Sequence, residues 1–227
     1  MQPTYLPWAG YFNLMAHVDD FVFLDDVQFE RRSWQSRNRI LLDGHEHLLT
    51  VPVRKSARDT RLDAIELASD DGWRDVHARV LEAAYGRAPF GREGLEPVLG
   101  ALADRTIVKL ADLTVRIIEG WRSALGLSAR THRASSLGCG GSRSEHLALI
   151  CRALGTRDYL SPAGSEAYLT EDRFISQFNM HLSIQSFLPR PYTQMRAAQF
   201  VSHLSLLDVI AHLGMDGANR YIRGESA

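Results

Sequence analysis

Cysteine is scarce in this chain. Cys139 and Cys151 are the only two in 227 residues, too few for a disulfide framework and without the partners of a zinc site. Charge of either sign is not in excess: 26 Lys and Arg stand against 27 Asp and Glu, a formal net charge of −1. That balance argues against a broad nucleic-acid or anionic-membrane footprint, so genomic nucleic acid is not expected as a partner. No apolar run approaches the roughly 18 residues that span a bilayer, and no membrane insertion is expected. The opening Met1-Gln2-Pro3-Thr4-Tyr5 has no basic stretch leading into an apolar one, so it does not read as a signal peptide. Internal repeats and low-complexity segments are absent as well. What is present is ordinary: 45% hydrophobic and 23% charged residues exclude wholesale disorder. The expectation is a soluble, cytoplasmic protein of bacterial type, one domain over residues 1–227.

The patterning predicts an α/β fold. Phe21-Val22-Phe23-Leu24, bracketed by Asp19-Asp20 and Asp25-Asp26, has the length and flanks of a buried strand. Residues 39–42 and 47–53 around Asp43-Gly44 predict a hairpin, and the alternation over 62–67 predicts a further strand. Helical spacing follows over 73–85, with Trp73, Val76, Val80, Leu81 and Ala84 on one face. A shorter helix is expected over 95–102 and a longer one over 106–125, closed by Gly126. These make a helical insertion of about residues 72–126. Strands over 130–134, 158–161 and 181–187 alternate with helices over 144–154, 170–177 and 203–213. Such alternation predicts βαβ units on a mostly parallel, Rossmann-like sheet flanked by helices.

Three segments could carry chemistry. The leader through Phe12 is dense in aromatics and prolines and runs into a helix near Trp8, whose unpaired N–H groups would favour an anion; the bland alternative is an aromatic staple on the core. Asp25 and Asp26 follow a strand, where open α/β sheets bind ligands, and could hold a magnesium ion or a substrate amine. Arg31, Arg32, Arg37 and Arg39 then supply donors for phosphate or carboxylate, against the alternative of a solvated loop with surface ion pairs. Residues 137–145 form a Gly/Ser loop entering a helix, with Ser142 or Ser144 as cap, but without the Gly-Lys-Ser/Thr ending of a P-loop. Cys139 among its glycines is a weak candidate nucleophile, and Cys151 on an apolar helix face reads as core.

Taken together, Gln2-Pro3-x-Tyr5-Leu6-Pro7-Trp8-x-Gly10-Tyr11-Phe12, Phe21-Val22-Phe23-Leu24-Asp25-Asp26-Val27-Gln28-Phe29 and Arg32-Ser33-Trp34-Gln35-x-Arg37-Asn38-Arg39-Ile40 resemble the WbqC-like family. Thr50-Val51-Pro52-Val53, Ser144-Glu145-x-Leu147, Pro191-Tyr192-x-Gln194 and Leu204-Ser205-x-Leu207-Asp208 continue the resemblance in order along nearly the whole chain. The family pattern has a strand and a histidine ahead of Gln-Pro, so the first strand is expected to be truncated here. Thr4 replaces an asparagine, Leu14 a lysine, His146 an arginine and Pro162 a glycine. The resemblance implies a place in O-antigen or polysaccharide assembly and transfer of glycine or another acyl group onto a sugar. By fold-level analogy it also resembles the opening of adenylate-forming nucleotidyltransferases, without their His-x-Gly-His loop and with residues 138–143 as a second phosphate loop.

These readings converge on a transferase or ligase that attaches an aminoacyl or other acyl group to an amino sugar or similar amine. Asp25, Asp26 and Gln28 are assigned to catalysis. Gln2, Tyr5, Trp8, Tyr11, Trp34, Arg37 and Asn38 are assigned to substrate, and Arg32, Arg39, Ser142, Arg143 and Ser144 to phosphates. The partner is a small molecule; ATP or a nucleotide sugar, with or without Mg, and a tRNA donor or a homo-oligomer stay open. The competing readings are a non-catalytic glycan- or enzyme-binding protein and a thiol hydrolase built on Cys139.

Overall fold

The computed structural model describes residues 1–225. After the extended leader, α1 (Ala9–Ala16) is buried along Ala9 to Met15, a core helix rather than an amphipathic one. β1 (Asp20–Phe23) then turns Phe21 and Phe23 inward and pairs in parallel with β4 (Arg130–Arg133), Asp20 opposite Arg130 and Phe23 opposite Arg133. At the start of that pair, Arg130 grips Asp20 with two hydrogen bonds of 2.9 and 2.6 Å and His132 adds one of 2.7 Å. Arg130 first, then His132, hold the Asp20 carboxyl down to about 2.

The expected hairpin forms as β2 (Arg37–Leu42) and β3 (His45–Thr50), antiparallel. Its two-residue turn has Asp43 and Gly44 both at positive φ, 50° and 80°, the conformation that matches strand twist in a tight hairpin. The strand expected over 62–67 does not form. Leu62 and Ile65 are both buried, a three-residue spacing that suits the 3₁₀ turn Leu62–Ala64. Only single bridges follow, Val53 to Leu67 and Glu66 to Lys109.

The middle is helical as expected: α2 (Gly72–Tyr85), α3 (Gly91–Ala103) and α4 (Leu110–Ala124). The face of α2 differs from expectation. Arg74, His77, Leu81, Ala84 and Tyr85 are buried, while Val76 is 46% exposed. Burial of Arg74 is possible because the carbonyls of Leu102, Asp104 and Ile107 and the Asp71 carboxylate take up its donors. α4 starts at Leu110, four residues later than its spacing suggested, since the Val108 carbonyl accepts from Leu67 and holds that stretch extended. It ends where Leu127 N–H reaches back to Arg122 and Gly126 takes φ +64°, as the glycine predicted.

The last third carries α5 (Ala134–Leu137), α6 (Arg143–Ala153), β5 (Asp158–Ser161), α7 (Glu166–Glu171), α8 (Phe174–Phe178), β6 (His181–Ile184) and α9 (Leu206–Arg223). The helix expected over 170–177 is broken in two by Arg173 at φ +51°. α9 runs ten residues beyond expectation, through a break at Gly214 (φ 70°, ψ 175°). It packs on α1 and α3, and the main core includes α1, β1, the three middle helices and α9. A smaller core gathers Leu147, Cys151, Leu169, Phe174 and Met180 beneath β5 and β6.

The fold is therefore mixed α/β, but the expected continuous parallel sheet is not what the described residues form. They form three two-stranded sheets, β1 with β4, β2 with β3, and β5 with β6, of which the first and last are parallel. A cleft of about 460 Å³, lined by β1 on one side and β5 on the other, separates the two parallel pairs. Composition fits this: β5, which borders the cleft, reads Asp-Tyr-Leu-Ser, and β4 reads Arg-Thr-His-Arg, both too polar for strands covered on both faces of a continuous parallel sheet. Among the described residues no helix is long and apolar enough to cross a membrane.

Candidate functional site

Parallel pairing sends the carboxyl ends of β1 and β4 to one edge, where α/β proteins place their chemistry. The leader leaves at the same edge, because Leu24 N–H donates to the Met1 carbonyl at 2.8 Å. Asp25, directly after β1, is 0% exposed. Its two carboxylate oxygens accept from Ser135 N–H at 2.9 Å and Ser135 Oγ at 2.8 Å, with the Arg133 guanidinium 3.6 Å away. Arg133 is in turn held by Asp112 at 2.6 Å. Asp25 is thus fully employed in fastening the end of β1 to the turn after β4.

Asp26 has a different partner. Its Oδ1 lies 3.2 Å from His146 Nε2, and His146 Nδ1 lies 2.8 Å from the Gly140 carbonyl. A carbonyl only accepts, so Nδ1 carries a proton and the neutral ring turns the lone pair of Nε2 toward the carboxylate. The contact becomes a hydrogen bond when one proton sits between Nε2 and Asp26. Both ring nitrogens are thus engaged, and the pair can hold one proton between carboxylate and ring as a unit. The ring is only 8% exposed. The loop that presents Gly140 bends through Gly138 and Gly141 at φ +63° and +79°, and a Cβ on Gly141 would press on His146 N at 3.1 Å. Arg61, bonded to Asp63 at 3.1 and 2.6 Å, adds a cation to this group; Asp63 chiefly, then the fields of Asp26 and Asp25, raise its affinity for its proton.

Beside the acidic group lies a half-open aromatic pocket of about 350 Å³, lined by Trp8, Tyr11, Trp34, Asn38, Arg39 and His203 among others. Trp8 folds back over α1, its ring where a side chain on Gly10 would stand; an added Cβ would come within 2.2 Å of it. His203, at φ +58°, lays its ring on Trp8 with centroids 4.7 Å apart. The Arg39 guanidinium stands 5.7 Å over the Trp34 ring and donates to Glu46 at 2.7 Å.

The structure divides the residues assigned from sequence. Trp8, Tyr11, Trp34, Asn38 and Arg39 meet in the aromatic pocket. Tyr5 is fully buried and bonds His77 Nδ1 at 2.8 Å, outside it. Gln2 accepts from Gln35 at 2.9 Å, and Gln35 also reaches the Gln28 carbonyl at 3.4 Å, so this chain of amides ties the leader to the segment after Asp26. The Gln28 side chain itself turns away, to the Arg58 carbonyl at 2.7 Å. Asn38 is spent on structure, donating to the Leu6 carbonyl at 2.7 Å where Leu6 takes φ +48°. Arg37 lies on β2 opposite Thr50, and Arg32 in an exposed turn at φ +62°. Arg143 bonds Glu171 and Asp172 at 3.1 and 3.2 Å and Ser144 bonds Asp172 at 2.7 Å, so both face the end of α7; Ser142 sits at the N-cap of α6 without a side-chain bond. The acidic and basic residues therefore do not share one cleft. The Cys139 thiol contacts the Leu137 carbonyl at 3.9 Å, while the imidazoles of His132 and His146, on either side of it in sequence, are occupied by Asp20 and by Gly140 and Asp26. His146, Ser135, Arg133, Arg61 and His203 carry no assignment from sequence. Only His146 had a local signal, its place behind the glycine loop in the Ser-Glu-His-Leu block.

The chain matches the family model of the WbqC-like protein family over residues 2–220. It is 28% identical over 226 residues to the uncharacterized protein Rv1507c of Mycobacterium tuberculosis, an alignment covering 98% of this chain and 97% of that one. No solved structure matches it.

Proposed function

The chain belongs to the WbqC-like protein family, and from that premise we propose that it is a transferase or ligase joining an aminoacyl or other acyl group to the amine of an amino sugar or similar acceptor, in polysaccharide, O-antigen or secondary-metabolite assembly. The observation that carries the reading is His146, pinned by Gly140 and facing Asp26 at 3.2 Å. An acceptor arrives as an ammonium ion, which Asp26 attracts. The Asp26 carboxylate takes one of its protons, the freed nitrogen lone pair attacks the acyl carbon, and the leaving group departs with the electrons of its bond. The proton is then held between Asp26 Oδ1 and His146 Nε2 at the distance already present, and that preset pair lowers the barrier. Asp25 positions the edge and is not spent on the reaction. ATP or an aminoacylated carrier supplies the activated donor in this reading.

The test is amide formation from glycine and other acyl donors with ATP, over a panel of nucleotide amino sugars. We expect turnover with at least one acceptor, lowered about 10²–10⁴-fold in His146→Gln, as for loss of a general base. Asp26→Asn should fall similarly, with the fold intact by circular dichroism. Absence of turnover with every panel member, together with no nucleotide binding by calorimetry, would remove the proposal. A second reading, a glycan-binding protein, draws support from Trp34, which is 51% exposed at the pocket mouth and open to stacking on a sugar face. Glycan binding by a chain that turns over no acceptor would favour it.

A further inference from the structure

We propose that the aromatic pocket binds an aryl or arylalkyl carboxylate, and that the acyl group handled by this protein is of that class, not glycyl. The inference deepens the acyl-transfer reading and rests on it only for the second clause. A volume of about 350 Å³ lies within the roughly 300–1,000 Å³ of small-molecule sites, and a glycyl group would leave most of it to water held against aromatic walls. The walls are flat. Trp8 with His203 stacked on it makes one and Trp34 another, with Met1, Thr4, Pro7 and Tyr11 between them and the polar Asn38 and Arg39.

Hydrogen-bonding capacity is what separates an aryl acid from a nucleobase or a sugar. Asn38, the one amide in the lining, is already committed: its nitrogen to the Leu6 carbonyl and its oxygen to Arg39 N–H at 2.8 Å. A ligand edged all round with donors and acceptors would therefore leave most of them without protein partners. Arg39 Nε and the Tyr11 hydroxyl lack partners but are closed to the pocket, so the polar groups a ligand can meet are few, the Thr4 hydroxyl, the indole edges and the open part of the Arg39 guanidinium. No carboxylate stands among the described lining residues, so the Arg39 cation sets the sign of the head group. Its Nη1 is taken by Glu46 and its Nε is closed off, while the side chain as a whole is about a third open, so Nη2 is the donor that can meet one oxygen of an anion. One flat apolar body with one anionic head satisfies this set. His203 held at φ +58° on the lip adds backbone strain of the kind found where a ligand is clamped.

Calorimetric titration of the full chain with phenylacetate, phenylacetamide, glycine and AMP decides the matter. Phenylacetate should bind saturably and more tightly than glycine or AMP. Trp34→Ala, at a half-exposed site, should weaken phenylacetate about tenfold with the fold intact by circular dichroism. Arg39→Gln should weaken phenylacetate to a similar degree while leaving phenylacetamide within about twofold. No saturable binding of phenylacetate, equal or tighter binding of glycine or AMP, or indifference to both substitutions would each overturn the assignment. His146→Gln should leave phenylacetate affinity unchanged, since the imidazole is outside the pocket. A chain that binds phenylacetate yet forms no amide keeps the pocket and loses the transferase; one that couples glycine but ignores phenylacetate does the reverse.

Discussion

His77 shows how a single side chain sets an acid limit on this protein. Its Nδ1 lies 2.8 Å from the Tyr5 hydroxyl, which can donate to it, so the buried ring has a partner while neutral. Burial is the main cause that pushes its pKa from 6.5 to about 4. The unfolded chain then binds a proton that the folded chain refuses between those values. The stabilisation is complete above pH 6.5 and disappears as pH falls toward 4. Its size is on the order of 3 kcal/mol at most. Urea unfolding at a series of pH values should show stability falling across that window. His77→Gln should be less stable at pH 7 and show a flatter slope; an unchanged slope would mean that another group sets the limit. By spacing His77 lies on the predicted stripe, four residues after Trp73 and four before Leu81, and only its polar side chain kept it out of the expected apolar face. Cys151 behaves as its apolar position predicts, its thiol pushed up to about 11 by burial and so unreactive at neutral pH.

Elements whose cues are short-range were legible. β1 was marked by its acidic flanks, the hairpin by Asp43-Gly44 and α4 by its stripe and closing glycine. The segment 62–67 was not, because alternation alone does not tell a strand from a turn whose Leu62 and Ile65 share one face. The break at Arg173 likewise has no signal, since nothing about an arginine announces a positive φ. α1 was found, but the use of Gly10 was hidden: the residue is there so that the Trp8 indole can lie against the helix. Gly10→Ala should drive that ring out of the pocket, since its Cβ would sit 2.2 Å from it. The expected result is a changed near-UV circular dichroism spectrum and loss of phenylacetate affinity, with little movement of the melting temperature, because alanine favours the helix by about 0.5–1 kcal/mol. Unaltered near-UV spectra would show that the indole does not depend on the gap.

For the molecule as one body, the core joins segments distant in sequence. Trp121 is fully buried, its Nε1 donates to the Gly94 carbonyl at 2.9 Å, and its ring meets Phe12 edge-on at 5.9 Å. It therefore locks α4 to both α3 and α1. Trp121→Ala should cost about 3–5 kcal/mol in chemical denaturation, the range for emptying a large aromatic site; a loss under 1 kcal/mol would mean the helices re-close over the gap. The candidate site is assembled by the same long-range logic, and this is why half of it escaped the sequence. Asp25 and Asp26 advertise themselves after a strand, but Ser135 and Arg133 become their neighbours only because β4 pairs with β1 across 110 residues. The basic residues were visible as a run, yet Arg143 is claimed by Glu171 and Asp172, which no local pattern foretells.

The bond from His146 Nδ1 to the Gly140 carbonyl ties a rigid ring to a loop whose bends rest on two glycines at positive φ. Whatever reshapes that loop must also tilt the imidazole against Asp26. A substitution at Gly141 is then felt at a carboxylate it never touches, through the ring that stands between them.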